Sequence, residues 1–76
     1  MPHYFFHVRD RRDLPDEDGA DLPDMQAVRG EAIRAAGEMV RDLDGAFTGE
    51  EWTMEVTDEA GRPVLTLRCS ATEHAR

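Results

Sequence analysis

The chain has 76 residues, 39% of them hydrophobic and 34% charged, with 17 acidic side chains against 9 basic ones and a formal net charge of −8. Every basic residue is Arg, and the balance argues against phosphate-neutralising contact with DNA or RNA and against an anionic membrane surface. A chain of this size supports one domain, residues 1–76, whose core leaves a margin of about 3–5 kcal/mol, so oligomerisation is a natural supplement.

Tyr4 to Asp10 is rich in aromatic and β-branched residues and reads as a strand. Alternation puts Tyr4, Phe6 and Val8 toward a core and Phe5, His7 and Arg9 on the other face. Arg11 to Asp18 is charged, contains Pro15 and reads as a loop, with Asp18-Gly19 as turn chemistry. Ala20 to Leu22 is a short returning strand whose brevity and Asp21 suit a sheet edge.

Asp24 is an N-cap for the one helix. Met25, Val28, Ala32, Ala35, Met39 and Leu43 recur at the helical period, widened by Ile33, Ala36 and Val40. Glu31–Arg34 and Glu38–Arg41 stand at pairing distance. Gly30 and Gly37 each cost about 1 kcal/mol relative to Ala inside a helix, and close approach to the sheet is one reason to keep them. Gly45 is the stop signal, and Ala46 to Glu51 is a loop.

Trp52 to Asp58 alternates, with Trp52, Met54 and Val56 inward and Thr53, Glu55 and Thr57 outward. Glu59 to Arg62 is a hairpin connection with Gly61 at its left-handed position. Pro63 to Ser70 is the last strand, with Leu65, Leu67 and Cys69 on one face and Val64, Thr66 and Arg68 on the other. Residues 71–76 read as a frayed polar tail. The order ββαββ predicts an α+β domain: a four-stranded antiparallel sheet with one helix on one face. The first and last strands, being long and apolar, are placed at its centre.

The acidic stretch Asp13 to Asp21 fails as a calcium loop. Aligning Asp16, Asp18 and Gly19 puts Leu14 and Met25 at ligand positions. His3 and His7 lie four positions apart on a strand, roughly 13 Å, too far to share a metal. Cys69 reads as a small buried hydrophobe, and as a single cysteine it fits a reducing cytoplasm. Ser70, Thr66 and Thr57 lack a nucleophile-elbow pattern. Carboxylate pairs such as Glu50 and Glu51 read as surface charge. No catalytic residue, metal or cofactor is therefore predicted.

What remains is the uncovered sheet face, on which Phe5, His7, Arg9, Glu55, Val64, Thr66 and Arg68, with Thr53 and Thr57, form a mixture suited to protein contact. Phe5 beside Val64 would make an apolar patch there.

Pro2-His3-Tyr4-Phe5-Phe6-His7-Val8-Arg9-Asp10, then Asp16-Glu17-Asp18-Gly19, Leu22-Pro23-Asp24 and the closing Val56-Thr57-Asp58-Glu59-Ala60-Gly61-Arg62 resemble a family of short bacterial proteins of unknown function. The resemblance spans nearly the whole chain and departs at Arg11-Arg12-Asp13. It implies a small cytoplasmic domain and no activity, cofactor or site residue.

The leading expectation is a non-enzymatic interaction module that self-associates through its open sheet face. Its partner is then protein, a second copy forming a homodimer, with no nucleic acid, membrane or small-molecule ligand. A second is an acidic regulatory or antitoxin-like partner of a basic protein, acting by charge complementarity. A third is a small-ligand binder or enzyme using His7, Glu55 and Arg68.

Overall fold

The computed structural model describes residues 1–10, 12–43 and 51–75. The elements run β1 (His3–Arg9), β2 (Asp13–Leu14), β3 (Ala20–Asp21), α1 (Met25–Leu43), β4 (Trp52–Thr57) and β5 (Pro63–Cys69). The fold is α+β, with the helix between two antiparallel strand groups, as the hydrophobic patterning predicts. The sheet has five strands rather than four, because part of the segment read as a loop pairs with β1.

The order β2-β1-β4-β5, with β3 also on β1, corrects the expected centre of the sheet. β1 is central, but its central neighbour is β4, and β5 lies at the edge. Length and apolarity misled here. The shorter β4 carries Trp52, Met54 and Val56, all at most 2% exposed, whereas Leu65, Leu67 and Cys69 of β5 are only half-buried.

β2 and β3 occupy the same side of β1 in different registers. Val8 pairs with Leu14 and Arg9 with Asp13, while His3 pairs with Asp21 and Tyr4 with Ala20. Between these patches, residues 15–19 face residues 5–7, so the chain bows outward and the ladder breaks. The tight turn into β2 closes with the Asp10 carboxylate accepting from the Arg12 N–H at 2.8 Å. On the other side of β1 an unbroken antiparallel ladder runs from Phe5↔Thr57 to Arg9↔Thr53.

Asp24 caps α1 as predicted, its Oδ1 accepting from the Ala27 N–H at 2.9 Å. The helix buries a narrower stripe than the sequence suggests. Val28, Ala32 and Ala36 are buried, and Met25, Ala35, Val40 and Leu43 are partly so. Ile33 is 62% exposed and Met39 37%, since a helix lying on a sheet covers only its underside. Gly30 and Gly37 do not approach the sheet: a Cβ built on either meets nothing within 4 Å. Arg34 bridges Glu31 and Glu38. Gly45, Gly49 and most of the predicted loop lie outside the described residues.

The core beneath the helix comprises Tyr4, Val8, Val28, Ala32, Ala36, Trp52, Met54 and Val56, with Phe6, Leu65, Leu67 and Cys69 packed against it. Cys69 is thus half-buried, not the fully buried group expected. At the β4–β5 turn Gly61 takes φ 81°, and Asp58 Oδ1 accepts from the N–H groups of Ala60 and Arg62. Among the described residues no helix is long and apolar enough to cross a membrane.

Candidate interaction face and its histidine clamps

The sheet face away from α1 is built on alternate residues of β1. His3, Phe5 and His7 form a row: the His3 and Phe5 rings meet edge-on at 5.0 Å, and the Phe5 and His7 rings stack at 6.3 Å. Phe5 is half-buried between them. The register sets Phe5 opposite Thr57, His7 opposite Glu55 and Arg9 opposite Thr53. It then sets Glu55 opposite Thr66 and Thr53 opposite Arg68.

Val64 leaves this face. The ladder pairs Val56 with Leu65 and Thr57 with Pro63, skipping Val64. The extra residue breaks the alternation, and Val64 packs against the core cluster. Arg9 bonds Asp13 at 3.1 Å and Arg68 reaches Glu51 at 3.5 Å, both as exposed pairs.

The bowed segment 15–19 is held by one carboxylate. Asp16 Oδ2 accepts from the Phe6 N–H at 3.1 Å, and Asp16 Oδ1 from the N–H groups of Asp18 and Gly19, both at 3.1 Å. The side chain therefore replaces the strand missing between β2 and β3, giving an interior amide of β1 the acceptor a neighbouring carbonyl would supply. Partial burial pushes the Asp16 carboxyl up. The three backbone N–H bonds, with a smaller contribution from His7, outweigh it and hold the group below its ordinary value of 3.8.

The two histidines are held by different kinds of partner. The Asp16 N–H donates to His7 Nδ1 at 3.1 Å, which leaves the ring proton on Nε2, where it donates to Thr57 Oγ1 at 3.1 Å. This assignment follows from the hydrogen-bond pattern. Both His7 nitrogens are committed, and the Thr57 hydroxyl that completes the chain is buried. His3 faces two acceptors: Nδ1 meets Asp21 Oδ1, and Nε2 meets the Asp18 carbonyl at 2.7 Å. Only an imidazolium donates to both. The Asp21 carboxylate first, then the Asp18 carbonyl, raise the His3 pKa above 6.5 against a smaller opposing desolvation. The His3 backbone N–H also donates to Glu59 Oε1 at 3.2 Å, tying β1 to the distant hairpin.

A groove of about 420 Å³ crosses this face, with His7, Glu55, Thr53 and Thr57 on its floor and Leu14 and Pro15 in its wall. Arg68 does not line it. Among the described residues no group of three or more His, Cys, Asp or Glu side chains is placed to hold a metal ion. The roles of His3 and Asp16 were missed in the sequence. The Asp16-x-Asp18-Gly19 spacing, in which an Asp side chain caps the amides two and three residues on, was their one visible signal.

Residues 3–70 match the family model for a domain of unknown function, DUF6894. The chain belongs to the DUF6894 family. That agrees with the resemblance to a family without assigned activity. No curated protein and no solved structure matches the chain.

Proposed function

We propose that this DUF6894 domain is a non-enzymatic interaction module that self-associates through its open sheet face, with Phe5 as the central contact. The observation that supports it most is the commitment of His7. Its two nitrogens hold the Asp16 amide and the Thr57 hydroxyl, so the ring serves to brace the face and has no free nitrogen for proton transfer. Phe5 is left framed by two flat rings as a pre-set apolar contact, with little side-chain freedom to lose on binding. Arg9 and Arg68 are each paired with a carboxylate on this face, so even with Glu55 the face holds little of the chain's net charge of −8. A second copy meets least repulsion there.

Light-scattering mass across a concentration series is the test. The wild type should exceed the mass of one 8.6 kDa chain, and Phe5→Asp should lower that mass with its circular dichroism unchanged. A wild type that stays at one chain at high concentration would overturn the reading.

The charge supports a second reading, an acidic domain that covers a basic protein. Arg9, Arg34, Arg62 and Arg68 all sit within 4 Å of carboxylates, so local pairing leaves the surplus negative charge to set the outer field. A pull-down that returns no basic protein would sink this alternative.

A further inference from the structure

The two edges of the sheet are unlike. Along the β2/β3 edge the strand is cut into two segments of two residues, separated by an outward bow and studded with Asp13, Asp16, Glu17, Asp18 and Asp21. Short segments, irregular backbone and charge are the devices that keep an edge from pairing with another chain. The β5 edge is longer and carries less of this protection: its one irregularity is the skipped Val64 near its start. It runs for seven residues, Pro63–Cys69, and among the described residues no strand pairs with its outer side. Its one proline is its first residue, where a strand tolerates it. Its one charge is Arg68, on a chain that is otherwise strongly acidic.

We propose that β5 pairs antiparallel with the β5 of a second copy, about a two-fold axis at Thr66. This goes beyond the face contact, since it joins the two copies through the backbone of the β5 edge and leaves out Phe5, while Thr66 and Arg68 border both surfaces. The register is self-complementary. Thr66 falls opposite itself and Leu65 opposite Leu67, and the single charge of the strand, Arg68, is never set opposite its own copy, so no like charges meet. Leu65 and Leu67 are half-buried within one chain, and the pairing extends the core row beneath both helices. Any segment of another protein would have to match this pattern by chance; the chain's own strand matches it by construction.

The axis of such a pair stands perpendicular to the sheet. Both helices then lie on one side and both open faces on the other, making a single surface with two Phe5 contacts. Stacking two such surfaces face to face closes into a tetramer of dihedral symmetry, so edge and face contacts are compatible and separable.

The test is Thr66→Arg. Within one chain the new Arg falls opposite Glu55, a favourable cross-strand pair, so the fold is kept. Across the two-fold it meets its own copy. Thr66→Arg should halve the light-scattering mass, and mixing it with Thr66→Glu, carried with Glu55→Gln so that no like pair forms within that chain, should restore the wild-type value by pairing opposite charges. Circular dichroism of each variant confirms folding. A single-chain wild type, a Thr66→Arg mass equal to wild type, or a mixture that stays halved would overturn the edge pairing. Phe5→Asp reads the face separately: if it leaves the mass unchanged while Thr66→Arg halves it, the face reading fails and the edge stands.

Discussion

Gly19 shows how tightly single residues are specified. Its φ is 66°, and a Cβ there would lie 2.5 Å from the Tyr4 carbonyl oxygen and 2.6 Å from His3 Nε2. Gly19→Ala should therefore cost about 2 kcal/mol or more, read as a lower denaturant midpoint, and should displace the His3 ring resonances. His3 itself makes stability depend on pH. Its pKa is raised in the folded chain, so its contribution is whole below the unfolded value of 6.5 and fades as pH climbs through the raised value. Asp16 behaves oppositely. Its pKa is depressed, so its contribution is whole above 3.8 and fades as pH falls through the lower folded value. Melting temperature should thus decline on the alkaline side in the wild type, and this limb should flatten in His3→Gln. Asp16→Asn should leave the alkaline limb and remove part of the acid one.

The glycines in α1 show what the sequence leaves open. Their cost was readable, but not which way they face, because the apolar residues at helical spacing are too many to fix the helix rotation. Val28, Ala32 and Ala36 define the buried line, and Ile33 and Met39 fall outside it. With open space at both glycines, Gly30→Ala and Gly37→Ala should each stabilise by roughly 0.5–1 kcal/mol, as a raised denaturant midpoint. Strands β1, β4 and β5, the Asp24 cap and the Gly19 and Gly61 turns were legible because alternation and turn chemistry are local. Sheet order was not, since it depends on which strand the helix covers. The Asp16 pin was hidden because a side chain standing in for a strand leaves no periodic trace. The site was legible as a face but not as a network: Phe5, His7 and Arg9 shared one side by alternation, while one skipped residue in the β4–β5 ladder moved Val64 to the other.

For the whole molecule, the charge of −8 distinguishes the two readings of function. Two like-charged copies repel at long range, so added salt should tighten self-association as screening shortens that repulsion. Binding to a basic protein should weaken under the same titration. Dissociation constants at about 50 and 300 mM salt, between which the Debye length shrinks about 2.4-fold, would show opposite slopes. The β1–β4 ladder has a consequence of a different kind. It joins Phe5 to Thr57, across the helix in sequence, whereas β1–β2 and β4–β5 are local hairpins. Hairpins close in about 1–10 μs, but the centre of this sheet forms only after the whole intervening segment, helix included, has come back on itself. The two halves of the sheet are therefore made early and married late. Truncations along β1–β4 outside the β1–β2 hairpin, such as Phe6→Ala opposite Val56, should speed unfolding while barely slowing folding, and a stopped-flow chevron would show the change in its unfolding arm.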